Sequence, residues 1–209
     1  MSKKEHKTYC IKIIFLGETG VGKTNLLNVY LDKMFSPNEM PTSQSYESYK
    51  EVDMGNNIKL YISLWDTVGQ EQYRSISRSY IKGSNIVIFV YDITMRETFY
   101  ELNYWISTVN EELNTDEVIL GIVANKMDLF LNSEVERNEG EEYAKKKNAL
   151  FCETSAKEDP KGFINFMHKL LEELISNQKI LDNFEEVKDS SFNIKKAAKK
   201  QQEEKSCCG

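Results

Sequence analysis

The chain has 209 residues, enough for one domain with a full core and short for two. Its 40% hydrophobic and 29% charged content is that of an ordinary water-soluble protein, and a net charge of −6 argues against a general nucleic-acid binder, which is normally basic. No apolar stretch is long enough to span a bilayer, so any membrane association has to come from an anchor.

The opening residues 1–7 read as a polar extension. No uninterrupted apolar region of leader type follows them, so they are not expected to form a secretory leader, and Ser2 does not fit N-myristoylation. An apolar run from Tyr9 to Leu16 then reads as a strand, followed by Gly17-Glu18-Thr19-Gly20-Val21-Gly22-Lys23-Thr24 and by Asn25 to Leu31, whose apolar residues fall at helical spacing. A glycine-rich turn between strand and helix lets backbone N–H groups wrap an anion, with the helix dipole favouring negative charge. Lys23 is then expected to reach the β- and γ-phosphates of a nucleotide, and the Thr24 hydroxyl to ligate Mg²⁺.

Residues 35–45 are polar and contain two prolines, hence a loop. From this segment alone Thr42 is a surface residue or a hydroxyl that closes over the phosphates. Tyr46 to Met54 alternates poorly and carries four charges, as an edge strand does. Gly55-Asn56-Asn57 is a turn, and Ile58, Leu60, Ile62 and Leu64 alternate as a half-buried strand, so the two form a hairpin. Asp66 lies at the carboxyl end of that strand, where open α/β sheets bind ligands, and is expected to hold Mg²⁺ through water.

Ile86 to Tyr91 and Val118 to Ala124 are continuous apolar runs, the signature of parallel strands buried on both faces. Between them Phe99, Leu102, Trp105, Ile106 and Val109 recur at helical spacing and are expected to be core. Ser133 to Glu136 resembles a capping box opening a helix toward Lys147. Leu150 to Thr154 is the last strand, and Asp159-Pro160 starts a final helix with Phe163, Phe166, Met167, Leu170, Leu171 and Leu174 inward. From about Ile180 the pattern dissolves into a flexible tail, 180–209. Of the four cysteines, Cys10 and Cys152 lie in apolar runs and are expected to be buried free thiols, while Cys207 and Cys208 adjoin the C-terminus. With no zinc spacing or disulfide framework, a reducing compartment is implied.

Two further motifs name the base. Asn125-Lys126-Met127-Asp128 follows one buried strand, and Glu153-Thr154-Ser155-Ala156-Lys157 ends the last. A carboxylate accepts two hydrogen bonds from N1–H and the 2-amino group of guanine; adenine offers no such pair, so Asp128 selects guanine. Asn125 is placed to tie the base site to the phosphate loop, the Lys126 stem to cover one base face, and a backbone N–H near Ala156, between Ser155 and Lys157, to bond the base oxygen.

With these motifs together and in order, the chain resembles a small GTPase of the Ras superfamily, most like the Rab branch, over roughly residues 8–176. Trp65 to Glu71, Tyr73 to Ser77, Val90 to Thr94 and the two final cysteines carry the Rab likeness. The resemblance implies an α/β fold of the P-loop small G-protein type: a six-stranded, mostly parallel sheet with one antiparallel edge strand and helices on both faces, over 8–179. It implies GTP or GDP with Mg²⁺ as ligands, Phe35 flanking the guanine, Thr42 on Mg²⁺ and the γ-phosphate, Gly69 as γ-phosphate sensor and Gln70 orienting the attacking water. It also implies double geranylgeranylation of Cys207 and Cys208 and cycling of a monomer between cytosol and the cytoplasmic face of an intracellular membrane. The partners implied are an exchange factor, a GTPase-activating protein, a GDP-dissociation inhibitor, the prenylation machinery, and effectors reading switch loops 36–48 and 67–80.

Two departures stand out. After Thr42, Rab proteins usually show Ile-Gly-Val-x-Phe, and here the residues are Ser43-Gln44-Ser45-Tyr46-Glu47; Val68 replaces the usual alanine. They motivate an alternative, a nucleotide-bound adaptor with little turnover. A P-loop kinase or ATPase sharing only the phosphate cradle is disfavoured by Asn125 to Asp128.

Overall fold

Strand β1 (Lys7–Leu16) lies at the centre of the fold, with every other strand arranged around it. The computed structural model describes residues 7–40, 42, 46–67 and 79–181. Helix α1 (Lys23–Tyr30) follows β1, then the hairpin of β2 (Tyr46–Gly55) and β3 (Ile58–Asp66), then β4 (Ile86–Asp92). Next come α2 (Arg96–Tyr100), α3 (Leu102–Glu112), β5 (Ile119–Asn125), α4 (Arg137–Lys146), β6 (Leu150–Glu153), α5 (Pro160–Ser176) and α6 (Gln178–Leu181). The six strands form one sheet in the order β2-β3-β1-β4-β5-β6, with β2 antiparallel at the edge and the remaining pairs parallel, as the sequence predicted.

Alternation along β1 shows why the core is double. Ile13 and Phe15 join one buried cluster with α1 and α5, while Ile14 and Leu16 join the other with α2, α3 and α4. All seven residues of β4 and of β5 are buried, which explains their unbroken apolar runs. Pro160 at the first turn and the Asp159 carboxylate, accepting from Gly162 N at 3.0 Å, start α5. Its six inward side chains are all buried, each contributing roughly 1.5–3 kcal/mol.

Several local expectations are corrected. Cys10 is exposed, because β1 pairs with β4 only from Ile13 onward and its first residues lack that flank. Cys152 is half-buried, with burial raising its thiol to about 12, so it is a poor nucleophile. The capping box does not form: Ser133 Oγ donates to Val135 O at 2.8 Å, and the N–H groups of Glu134 and Val135 both bond Ile93 O. That tether keeps the segment extended, and α4 starts later, at Arg137, capped by Glu136 without a side-chain bond. The helix through Phe99 and Val109 divides at Glu101 into α2 and α3, with all five predicted apolar residues buried. Ile180, the point where the pattern dissolves, lies in α6 and is buried in the core cluster beside α5.

Among the described residues, no helix is long and apolar enough to cross a membrane. Parallel strands bring the carboxyl ends of β1, β3, β4, β5 and β6 to one edge, and β1 with β4 forms the point where the strand order reverses, the usual ligand position in such sheets.

Candidate nucleotide site

A cavity of about 440 Å³ opens at that edge. Its walls include Thr19, Gly20 and Gly22 from the loop after β1, Lys23 and Thr24 from the start of α1, Phe35 and Thr42 from the loop after α1, Asn125 at the end of β5, and Lys126, Asp128, Ser155, Ala156 and Lys157 from the segments after β5 and β6. Residues 138 positions apart in sequence, Thr19 and Lys157, thus meet in one place.

The phosphate loop is held by its own glycines and by Asn125. Gly22 has φ 96°, and a Cβ there would lie 2.3 Å from Asn125 Nδ2. Asn125 Nδ2 donates to Val21 O at 2.8 Å, and Asn125 Oδ1 accepts from Ala156 N at 3.2 Å. One buried amide therefore joins the phosphate loop to the loop after β6. The Ala156 N–H, expected near the base oxygen, is directed at Asn125 here, and the Lys157 N–H at Ser155 Oγ, 3.2 Å away. Lys23 is buried and donates to Gly17 O and Glu18 O, both at 2.8 Å. Desolvation lowers its pKa to about 8, against the pull of Asp66 and Glu18. An anionic phosphate beside it restores the charged form.

Three oxygens converge beneath this loop. Thr24 Oγ1 donates to Asp66 Oδ2 at 2.7 Å and lies 2.9 Å from Thr42 Oγ1. Asp66 is fully buried, and its Oδ1 has no hydrogen-bond partner among the described residues. Burial pushes its carboxyl up, opposed by Thr24 and Lys23. Two hydroxyls and a carboxylate are hard oxygen donors, and a buried carboxylate with an unpartnered oxygen accepts water from a hydrated cation, so this cluster fits Mg²⁺.

At the base end, Ser155 Oγ donates to Asp128 Oδ1 at 2.6 Å while accepting from Glu158 N at 3.0 Å, which fixes the carboxylate's direction. Lys126 sits in the left-handed region, φ 69°, uncommon for a non-glycine residue and frequent at ligand sites. Its ammonium pairs with buried Asp92 Oδ2 at 2.6 Å. Asp92 Oδ1 accepts from Thr94 N and Thr94 Oγ1. Sequence reasoning missed Asp92, although an acid closing a fully apolar strand was the available signal. It also missed Asn25, which clamps Ser36 by two 3.0 Å bonds and so seats Phe35, and Thr67, whose hydroxyl donates to Phe15 O at 2.6 Å, stapling the end of β3 to that of β1.

Replacing Asp92 with asparagine keeps an acceptor for Thr94 and removes the partner of Lys126. The Lys126 stem is then free to leave the base, and release of a fluorescent GDP should speed up by roughly tenfold, the value of one charge-assisted bond. An unchanged release rate would show that the pair does not hold Lys126 in place.

Gly69 and Gln70, expected to act at the γ-phosphate, lie outside the described residues, as do the two departures, Val68 and Ser43 to Ser45, and Cys207 and Cys208. Among the described residues, no arginine lines the cavity.

The chain matches the family model described as "Ras family" over residues 12–176. It is similar to the Ras-related protein Rab-18 of Caenorhabditis elegans, 37% identical over 174 residues, 83% of this chain and 84% of that one. Rab-18 of Caenorhabditis briggsae gives the same identity and coverage. Similarity to the Ras-related protein Rab-17 of Mus musculus is 40% over 149 residues, 71% of this chain and 69% of that one.

Proposed function

The chain belongs to the Ras family of small GTPases, in its Rab branch, and on that premise we propose that it works as a lipid-anchored switch in vesicle-mediated transport. It binds GTP and GDP with Mg²⁺ and is a GTP hydrolase, as members of this family are. Membrane-associated cycling, regulators and effectors go with that family.

The contact that carries the switch reading is the 2.9 Å approach of Thr24 and Thr42. It links the phosphate loop to the loop after α1, so a change at the phosphates is passed directly to the surface segment 36–48. Thr24 and Thr42 would hold Mg²⁺ directly and Asp66 through water; the ion, when bound, supplies neutralising charge at the β- and γ-phosphate oxygens. Lys23 adds fixed positive charge from below, Phe35 and the Lys126 stem flank the base, and Asp128 accepts from guanine. Gly69 and Gln70 complete the assignment, Gly69 reporting the γ-phosphate and Gln70 aligning the water. Turnover without an activating protein is slow, because the chemistry depends on positioning and charge stabilisation that such a partner completes.

The anchor assignment rests on the sequence: geranylgeranyl groups on Cys207 and Cys208, which together hold a protein at a membrane where one would bind reversibly. The remaining partners proposed are an exchange factor, a GTPase-activating protein, a GDP-dissociation inhibitor and the prenylation machinery, with effectors reading 36–48 and 67–80.

Single-turnover hydrolysis of bound GTP, compared between the natural protein and Gln70→Leu, tests the catalytic part. The variant should be slower by about 10²-fold, the loss typical of a mispositioned reactant. Equal rates would instead support a nucleotide-bound adaptor.

A further inference from the structure

The first residue of β2 is a tyrosine whose phenol points at the metal site. Tyr46 lies directly opposite Asp66 in the antiparallel β2–β3 ladder. Opposed residues of such a pair project to the same face. Going down β2, that face carries Ser48, Lys50 and Val52, opposite Leu64, Ile62 and Leu60. Lys50 reaches the carbonyl of Tyr30 at the end of α1, and Val52 is in the core, so the face is the one that looks toward α1 and the phosphate loop. The Tyr46 hydroxyl accordingly interacts with both the Asp66 carboxylate and the Thr24 hydroxyl. The residue is 37% exposed, so the phenol enters the site from the rim and can withdraw without disturbing the core.

Three groups thus compete for few oxygens. Asp66 Oδ2 accepts from Thr24 beside the phenol and Oδ1 stays open to a metal-bound water, so the contest is over the Thr24 oxygen, which a hydrated Mg²⁺ needs for itself. The phenol is a neutral donor at every physiological pH, since tyrosine titrates near pH 10 and burial beside Asp66 moves it further up.

We propose that Tyr46 is a positioning residue that competes with Mg²⁺: its hydroxyl holds Asp66 and Thr24 when the metal leaves, lowering metal affinity and easing nucleotide release. The proposal rests on the GTPase reading of the site and adds a regulator drawn from the segment Ser43-Gln44-Ser45-Tyr46-Glu47, in which this chain departs from the Rab pattern. Stabilising the metal-depleted site makes the bound nucleotide sensitive to small changes in free Mg²⁺. The phenol acts through Asp66 and Thr24 and touches no reacting atom, so it is not a catalytic residue.

The test is release of N-methylanthraniloyl-GDP from the full chain across a buffered Mg²⁺ series, for the natural protein and Tyr46→Phe. Phenylalanine keeps the ring and β2 register and removes only the hydroxyl. The Mg²⁺ concentration that halves the release rate should fall by about tenfold in the variant, the value of one hydrogen bond to a charged acceptor. Thermal unfolding supplies the readout that a merely structural role would not give: the variant should match the natural protein in saturating Mg²⁺ and GDP and be less stable with a chelator present. A midpoint that is unchanged or raised, or an equal loss of stability in both conditions, overturns the proposal while leaving the site intact. Release from the natural protein that is indifferent to Mg²⁺ overturns both the proposal and the metal-site reading beneath it.

Discussion

Asp128→Asn is expected to weaken GDP binding by roughly 10²–10⁴-fold, the loss of two charge-assisted hydrogen bonds at about 1.5–3 kcal/mol each. Guanine presents N1–H and its 2-amino group side by side, and both need acceptors. The Asp128 carboxylate supplies two oxygens, and Ser155 Oγ, donating to Oδ1 at 2.6 Å, holds the group in place while leaving lone pairs for the base. Asparagine keeps the shape and turns one oxygen into a donor, which meets a guanine donor head on. Inosine diphosphate, lacking the 2-amino group, should lose less than GDP on the same substitution, and competition titration against a fluorescent guanine nucleotide measures both. Equal losses for the two nucleotides would mean that Asp128 does not contact the 2-amino group.

The second large effect is at Gly22. Gly22→Ala should be destabilising by about 3–5 kcal/mol and should abolish nucleotide retention, combining left-handed backbone strain with a collision and a broken buried bond. The added Cβ would stand 2.3 Å from Asn125 Nδ2, a contact that only displacement of the amide relieves. That displacement also breaks the bonds from Asn125 to Val21 O and from Ala156 N to Asn125, separating the phosphate loop from the loop after β6. Gly20 provides the internal comparison. Its φ of 79° is also left-handed, yet a Cβ there meets nothing within 4 Å. Gly20→Ala should therefore show the conformational strain alone, about 1–2 kcal/mol. Thermal unfolding of the two variants, with bound nucleotide quantified, separates strain from collision; equal effects would show that the approach to Asn125 is unimportant.

Much of the fold was legible because its signals are local. The unbroken apolar runs in β4 and β5 could only be strands covered on both faces, and helical spacing from Phe99 to Val109 and from Phe163 to Leu174 marked helices with one buried side. The phosphate loop and the Asn125 and Ser155 motifs were legible because each sits at a strand's carboxyl end. What escaped depends on pairing between distant segments. Cys10 looked buried in an apolar run, and only the point at which β4 begins to flank β1 exposes it. Ser133 and Glu134 had the spacing of a capping box, but tethering of the chain to Ile93 O overrode it. Asp92, Asn25 and Thr67 are residue types found on any surface, and their partners lie 34, 11 and 52 positions away. For Tyr46 the sequence marked an unusual segment, while its direction followed only from the register of β2 against β3.

The most direct test of a guanine-specific switch is to denature the purified full chain and identify by chromatography the nucleotide it releases. Guanine nucleotide, mostly GDP, is the expected result, because a site with buried Lys23 and Asp66 at the phosphate end and Asp128 at the base retains its ligand through purification. Adenine nucleotide would contradict the role of Asp128 and the function built on it.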